Sequence, residues 1–178
     1  MTSNDDTEFD PQVDKRLRER VGQYLVAPLE GRGVRVALAC GRFNGGVTTR
    51  LIDGALEALQ ECGVDRSDIT IAWAPGAFEL PLVARGFAVG EKVDVVITLG
   101  AVIRGDTGHY DVVAGECARG VQDVQLATGV PVVFGVLTTD TVDQALERSL
   151  PDHSNKGREC ARTAVEMVNL LRQGAFAS

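Results

Sequence analysis

No run of residues in this sequence is apolar for long enough to span a bilayer, because a Lys, Arg, Asp or Glu interrupts every candidate. Basic clusters are missing too. Lysine and arginine number 18 against 25 acidic residues, a net charge of −7, which argues against a nucleic-acid partner. The opening MTSNDDTEFD is acidic and polar rather than basic then apolar, so it does not read as a secretory signal, and the cytoplasm is the expected compartment. No C-x-x-C pair occurs among Cys40, Cys62, Cys117 and Cys160. Each sits in an apolar, regularly patterned run and reads as a buried free thiol. No two histidines or cysteines have metal-ligand spacing. There is no G-x-G-x-x-G for a dinucleotide, no G-K-[ST] for a triphosphate and no G-x-S-x-G nucleophile turn. Neither an internal repeat nor a second domain is visible.

What is present suits one domain: 178 residues, 44% hydrophobic and 24% charged. Residues 1–32 read as an N-terminal extension, disordered from Met1 to Pro11. A short amphipathic helix is expected over Gln12–Leu25, where Val13, Leu17, Val21 and Leu25 form an i, i+4 stripe. Residues 33–178 then alternate between two periodicities. Val34–Cys40, Ile69–Trp73, Val93–Val102 and Pro131–Leu137 read as strands. Helical spacing follows each: Leu51 to Leu59, Phe78 to Val89 with Pro81 in the first turn, Val113 to Val124, and Asn155 to Arg172. Thr141 with Gln144 resembles a capping box before a short helix. Nearly continuous apolar strands between helices predict a doubly wound α/β fold. The expected form is a three-layer α/β/α sandwich with a mainly four-stranded parallel sheet, flavodoxin-like.

In such folds ligands bind beyond the carboxyl ends of the strands. Gly41-Arg42-Phe43-Asn44 follows the first strand; Phe43 either folds back on the core or offers an aromatic face to a planar ring. Ala74-Pro75-Gly76-Ala77-Phe78-Glu79 follows the second; the lone carboxylate of Glu79 either favours a helix start or binds the hydroxyls of a polyol. Ile103 to Asp111 follows the third, a glycine-rich turn feeding a helix, whose free N–H groups suit a phosphate. His109 lies in that turn, as a solvated loop residue or a proton carrier. After the fourth strand, Arg148 precedes a loop, and Lys156 and Arg158 open the last helix. Cations there oppose the helix dipole; they either meet an anion such as a bound phosphate or are solvated surface side chains.

Taken together, GRFN, PGAFELP, LGAVIRGDTGHYDVV, PVVFGVLTTDT, QALERS and NKGRECA resemble the lumazine synthase family over about Val34 to Leu171. The resemblance implies condensation of 5-amino-6-(ribitylamino)uracil with 3,4-dihydroxy-2-butanone 4-phosphate. The products are 6,7-dimethyl-8-ribityllumazine, phosphate and water, in the penultimate step of riboflavin biosynthesis, with no cofactor or metal. It further implies that Phe43 stacks on the pyrimidine with Asn44 near it. Ala77 and Glu79 would contact the ribityl chain, and Val102 and Ile103 the uracil edge. Asp106 and Thr107 would donate N–H groups to the phosphate beside Arg148. His109 would transfer protons, Lys156 would contact substrate, and Phe134 would enter from a neighbouring subunit.

The same resemblance implies a homo-oligomer, either pentamers or a 60-subunit icosahedral shell of them, acting on small molecules, with no membrane partner. Two departures stand out. Asp152 occupies a position where the family often has lysine, and the segment before Gly33 is longer than usual. The alternative is a shell-forming or flavin-binding homologue with reduced catalysis. A flavodoxin-like electron carrier is disfavoured, since no Ser/Thr-rich phosphate loop follows the first strand.

Overall fold

Apolar, proline-free runs form the strands in the computed structural model, which describes residues 11–90 and 92–174. The strands are β1 (Val36–Gly41), β2 (Ile69–Ala74), β3 (Val95–Ile103) and β4 (Val132–Thr139). All pair in parallel, in the spatial order β2-β1-β3-β4. Val36 sits opposite both Ile69 and Val95, and Ile97 opposite Val133. β1 and β3 are central and almost wholly buried, as continuous apolar runs require when both sheet faces are covered.

The covering helices are α2 (Gly45–Glu61), α3 (Leu80–Val89), α4 (His109–Thr128), α5 (Val142–Glu147) and α6 (Lys156–Arg172). α2 packs against α6 on one face, and α3 against α4 on the other. Strand alternation divides the core accordingly. Val36, Leu38 and Cys40 join Leu51, Leu59, Ala161 and Val165 on the first face. Ala37 and Ala39 join Leu80, Ala84, Cys117 and Val121 on the second, where small β1 side chains bring α3 close. The α/β/α sandwich expected from periodicity is thus observed. All four cysteines are buried free thiols. Among the described residues no helix is long and apolar enough to cross a membrane.

Several boundaries move. The expected helix over Gln12–Leu25 is only α1 (Pro11–Arg18). Beyond it the stripe is only partly covered: Leu25 is half-buried, but Val21 is 49% exposed. The chain turns back there, so that Arg18, paired with Asp14 at 2.8 Å, lies 4.7 Å from the Tyr24 ring centre. The reading of Met1 to Pro11 as disordered falls outside the described residues, except that Pro11 opens α1. Pro81 stands in the first turn of α3, where its missing N–H costs nothing. Thr141 caps α5 by accepting from the Gln144 N–H at 3.2 Å. The Gln144 side chain instead accepts from the Asp140 N–H at 2.9 Å, so the reciprocal half of a capping box is not formed.

Candidate active site

From β1 the chain runs to β2 on one side, then returns to place β3 on β1's other side. This reversal of direction opens a crevice at the carboxyl ends of β1 and β3. A cleft of about 670 Å³ lies there. Its walls come from three strand ends. β1 supplies Phe43 and Asn44; the turn after β2 supplies Pro75 to Glu79; the end of β3 and the start of α4 supply Ala101 to Ile103, Gly105, Thr107, His109, Tyr110, Val112 and Val113.

Asn44 holds the floor in shape. It adopts a left-handed backbone (φ 57°), which turns the chain abruptly from β1 into α2. Its side-chain amide donates to the Ala101 carbonyl at 2.9 Å, tying the two strand ends across the crevice. Phe43 is 74% exposed and Phe78 54%, so both rings stand at the cleft rather than in the core. An exposed aromatic pair beside an apolar wall is a surface that a planar ring would cover. Of the two alternatives read for Phe43, packing back on the core is the one the structure overturns.

Glu79 lines the same cleft, and its carboxylate also accepts from the Gly76 N–H at 3.0 Å. The structural alternative for Glu79, fixing a helix start, is therefore real. One oxygen closes the Pro75-Gly76 turn, and the carboxylate still faces the cleft. His109 is not a loop residue: it opens α4, with Gly108 before it providing no side-chain cap. The first-turn N–H groups of α4 therefore lie beside Gly105 and Thr107 at the mouth of the cleft. A 20-residue helix adds the positive end of its dipole there.

Asp106, Phe134, Arg148 and Lys156 do not line this cleft within one chain. Asp106 is exposed in the loop between Gly105 and Thr107. Phe134 is 38% exposed on the edge strand β4. Arg148 ends α5, where its Nη1 donates to the Gln144 carbonyl at 3.2 Å. Lys156 opens α6, on the opposite face of the sheet from α3 and α4. No lysine or arginine is among the residues lining the cleft. Among the described residues no cluster of His, Cys, Asp or Glu could hold a metal.

Residues 33–172 match the family model for 6,7-dimethyl-8-ribityllumazine synthase. The chain belongs to that family. Membership places it in riboflavin biosynthesis. The match leaves out residues 11–32, which carry α1 and the extended segment after it. Every residue that the lumazine synthase resemblance singled out in GRFN and PGAFELP lines the cleft, as do Val102, Ile103, Thr107 and His109.

The cations in the first turn of α6 are neutralised within the chain. Lys156 pairs with Glu159 one turn along, and Arg158 pairs with Glu57 at 2.9 Å and Glu61 at 2.7 Å. Carboxylates of the chain itself offset these cations, so their placement does not require a bound phosphate. Sequence reading also missed Phe78, Tyr110, Val112 and Val113 as cleft residues. Phe78 was read as the start of a helix; its position beside Pro75-Gly76, outside the apolar stripe of α3, was the available signal. Tyr110 and Val113 are partly buried against the α3–α4 side of the core, so they serve core and cleft together.

Proposed function

We propose that the chain condenses 5-amino-6-(ribitylamino)uracil with 3,4-dihydroxy-2-butanone 4-phosphate to give 6,7-dimethyl-8-ribityllumazine, phosphate and water, acting as a transferase. One observation carries the reading: a single cleft at the β1/β3 crevice joins an exposed phenylalanine plate, an imidazole and an uncapped helix start. Phe43 covers one face of the pyrimidine, and backbone groups of Val102 and Ile103 meet its edge. Ala77 and Glu79 take the ribityl chain, whose hydroxyls suit the free lone pairs of the carboxylate. The N–H groups of Asp106 and Thr107 and the α4 terminus receive the phosphate.

Imine formation between the aromatic amine and the ketone, loss of phosphate and ring closure each require protons to move, and none requires an enzyme nucleophile. His109 carries those protons, and the cleft supplies alignment of the two substrates. The cleft of one chain holds no fixed cation, whereas its second substrate is an anion. The reading therefore includes a second copy of the chain, supplying Phe134, Arg148 and Lys156 across a pentamer interface. The active enzyme is then a homo-oligomer, either pentamers or a shell of them.

The test is direct. Purified protein given both substrates should develop the absorbance of the lumazine product. His109→Ala should lower turnover by roughly 10²- to 10⁴-fold while changing the Michaelis constants less. A wild-type chain that makes no lumazine defeats the reading, and a fully active His109→Ala removes His109 from the mechanism.

A further inference from the structure

Arg104 follows the last residue of β3 and belongs to no part of the cleft wall, yet it reaches three elements around the mouth. Its N–H donates to the Thr139 carbonyl at 2.9 Å, at the end of β4. Its Nε donates to Asp140 at 2.8 Å and its Nη1 to Asp111 at 3.3 Å. The guanidinium carbon lies 4.0 Å from the centre of the Tyr110 ring, and Tyr110 lines the cleft. Between Arg104 and His109 stand Gly105 to Gly108. Neither glycine has another heavy atom within 4 Å of where a Cβ would be, so little packing restrains the loop. Within it, the His109 N–H reaches the Thr107 hydroxyl only at 3.4 Å.

We propose that Arg104 is a positioning residue that clamps both ends of the Gly105–Gly108 loop to each other and to the end of β4, fixing the loop as an anion seat beside His109. The inference rests on the reading of the cleft as a site for a phosphorylated substrate. The guanidinium does not itself serve as the anion's counter-charge, because two carboxylates already engage it. Each of its ion pairs is solvent-exposed and weak alone. Their value is geometric: one rigid planar fork meets two carboxylates while lying over a ring, an arrangement a lysine ammonium cannot reproduce. The spacing in IRGDTGHYD then has a physical account. Arg104, Tyr110 and Asp111 frame the loop, and Gly105 to His109 work inside the frame.

The experiment uses the full chain in its assembled form. Inorganic phosphate binding is measured by calorimetry, and steady-state kinetics with both substrates, for wild type, Arg104→Gln, Arg104→Lys and Tyr110→Leu. In Arg104→Gln, phosphate affinity should fall and KM for the phosphorylated substrate rise by roughly tenfold, with KM for the pyrimidine within about twofold. Arg104→Lys should recover only part of the loss, and Tyr110→Leu should shift phosphate affinity the same way. In the Arg104 variants the unfolding midpoint and assembly size should stay as in wild type. Wild-type phosphate affinity in Arg104→Gln overturns the clamp. So does a parallel rise in both Michaelis constants with a lowered unfolding midpoint, which would make Arg104 a general structural residue. If Arg104→Gln does not fold, Asp140→Ala removes one arm alone, and unchanged phosphate affinity there overturns the clamp. A wild type that forms no lumazine, yet binds phosphate more tightly than Arg104→Gln, would sink the proposed reaction and leave the clamp standing.

Discussion

Gly157→Ala adds one methyl group where α6 crosses α2, and the structure gives it nowhere to go. A Cβ at Gly157 would lie 1.9 Å from the Leu51 carbonyl oxygen and 2.7 Å from its carbon. Both are backbone atoms of α2, so no side chain can turn aside, and α6 must retreat by roughly 1.5 Å to reach ordinary contact. The retreat would drag on Asn155, which is 1% exposed and caps α6. Its amide donates to Arg50 and Leu150 carbonyls at 3.2 and 2.9 Å, and its oxygen accepts from the Gly157 N–H at 2.8 Å. Overpacking usually costs about 1–3 kcal/mol, and strain on buried hydrogen bonds worth about 1 kcal/mol each takes this case to roughly 3–5 kcal/mol. Alanine's better helix propensity opposes this by only about 1 kcal/mol. For a chain of this length the net loss, about 2–4 kcal/mol, corresponds to a fall in Tm of roughly 4–16 °C. The assay is urea unfolding followed by far-UV circular dichroism at one fixed protein concentration, because assembly adds to apparent stability. Gly86→Ala is the control. It lies in α3 with nothing within 4 Å of the added carbon, and should stabilise by about 0.5–1 kcal/mol. A Gly157→Ala chain as stable as Gly86→Ala would refute the close helix crossing.

Three further outcomes follow from the same geometry. Burial pushes the Cys40 thiol up to about 12 and those of Cys117 and Cys160 up to about 11. A thiolate-selective reagent at pH 8 should therefore leave these three unmodified in the native protein and label them only after denaturation. Burial pushes the Asp94 carboxyl up, but hydrogen bonds and charge from Arg35, with Arg172 at 3.3 Å, outweigh this and hold it below its usual value. A depressed carboxylate adds stability above the unfolded value of about 3.9 and loses it as pH falls through the lower folded one. Asp94→Asn should thus lower the urea midpoint at pH 7 and match wild type more closely at pH 2; equal deficits at both would contradict the assignment. Finally, His109→Ala and Arg148→Ala, each poorly active alone, should recover about a quarter of wild-type sites when co-assembled in equal amounts, if neighbouring copies complete each cleft. No recovery would place both residues on the same copy.

Periodicity was enough for the layers because burial on both faces leaves an unambiguous trace. VDVVITLGAV can hardly be anything but a central strand, and β3 is buried along almost its whole length. Where a periodic stripe lacks a partner surface the same reasoning overreaches, as it did from Glu19 to Leu25, because spacing alone says nothing about what a helix can bury against. The start of α4 was hidden for a different reason. Gly105 and Gly108 read as loop punctuation through His109, whereas Gly108 is the residue before the first turn and His109 its first member. Contacts between distant segments left no trace at all. Arg104 meets Asp140 36 residues on, and Asn155 meets the Arg50 carbonyl across 105.

The incomplete cleft is the more instructive case. An exposed Phe43, an exposed Phe78 and a half-exposed Phe134 on an edge strand are costly surfaces for a chain that stays alone. A cleft proposed to take a phosphorylated substrate is equally unfinished when no lysine or arginine lines it. One physical remedy would meet both deficits: a second copy that covers the aromatic surface and brings cations to the loop, as proposed above. Arg148 is suited to that task because it is exposed, and among the described residues its guanidinium bonds only the Gln144 carbonyl, which leaves its remaining donors able to turn outward. Arg104 is not, because its charge is already spent on Asp111 and Asp140. The proposed division of labour, with Arg104 setting the seat and Arg148 of a neighbouring copy supplying charge to it, would account for residues legible in the sequence that do not meet within one chain.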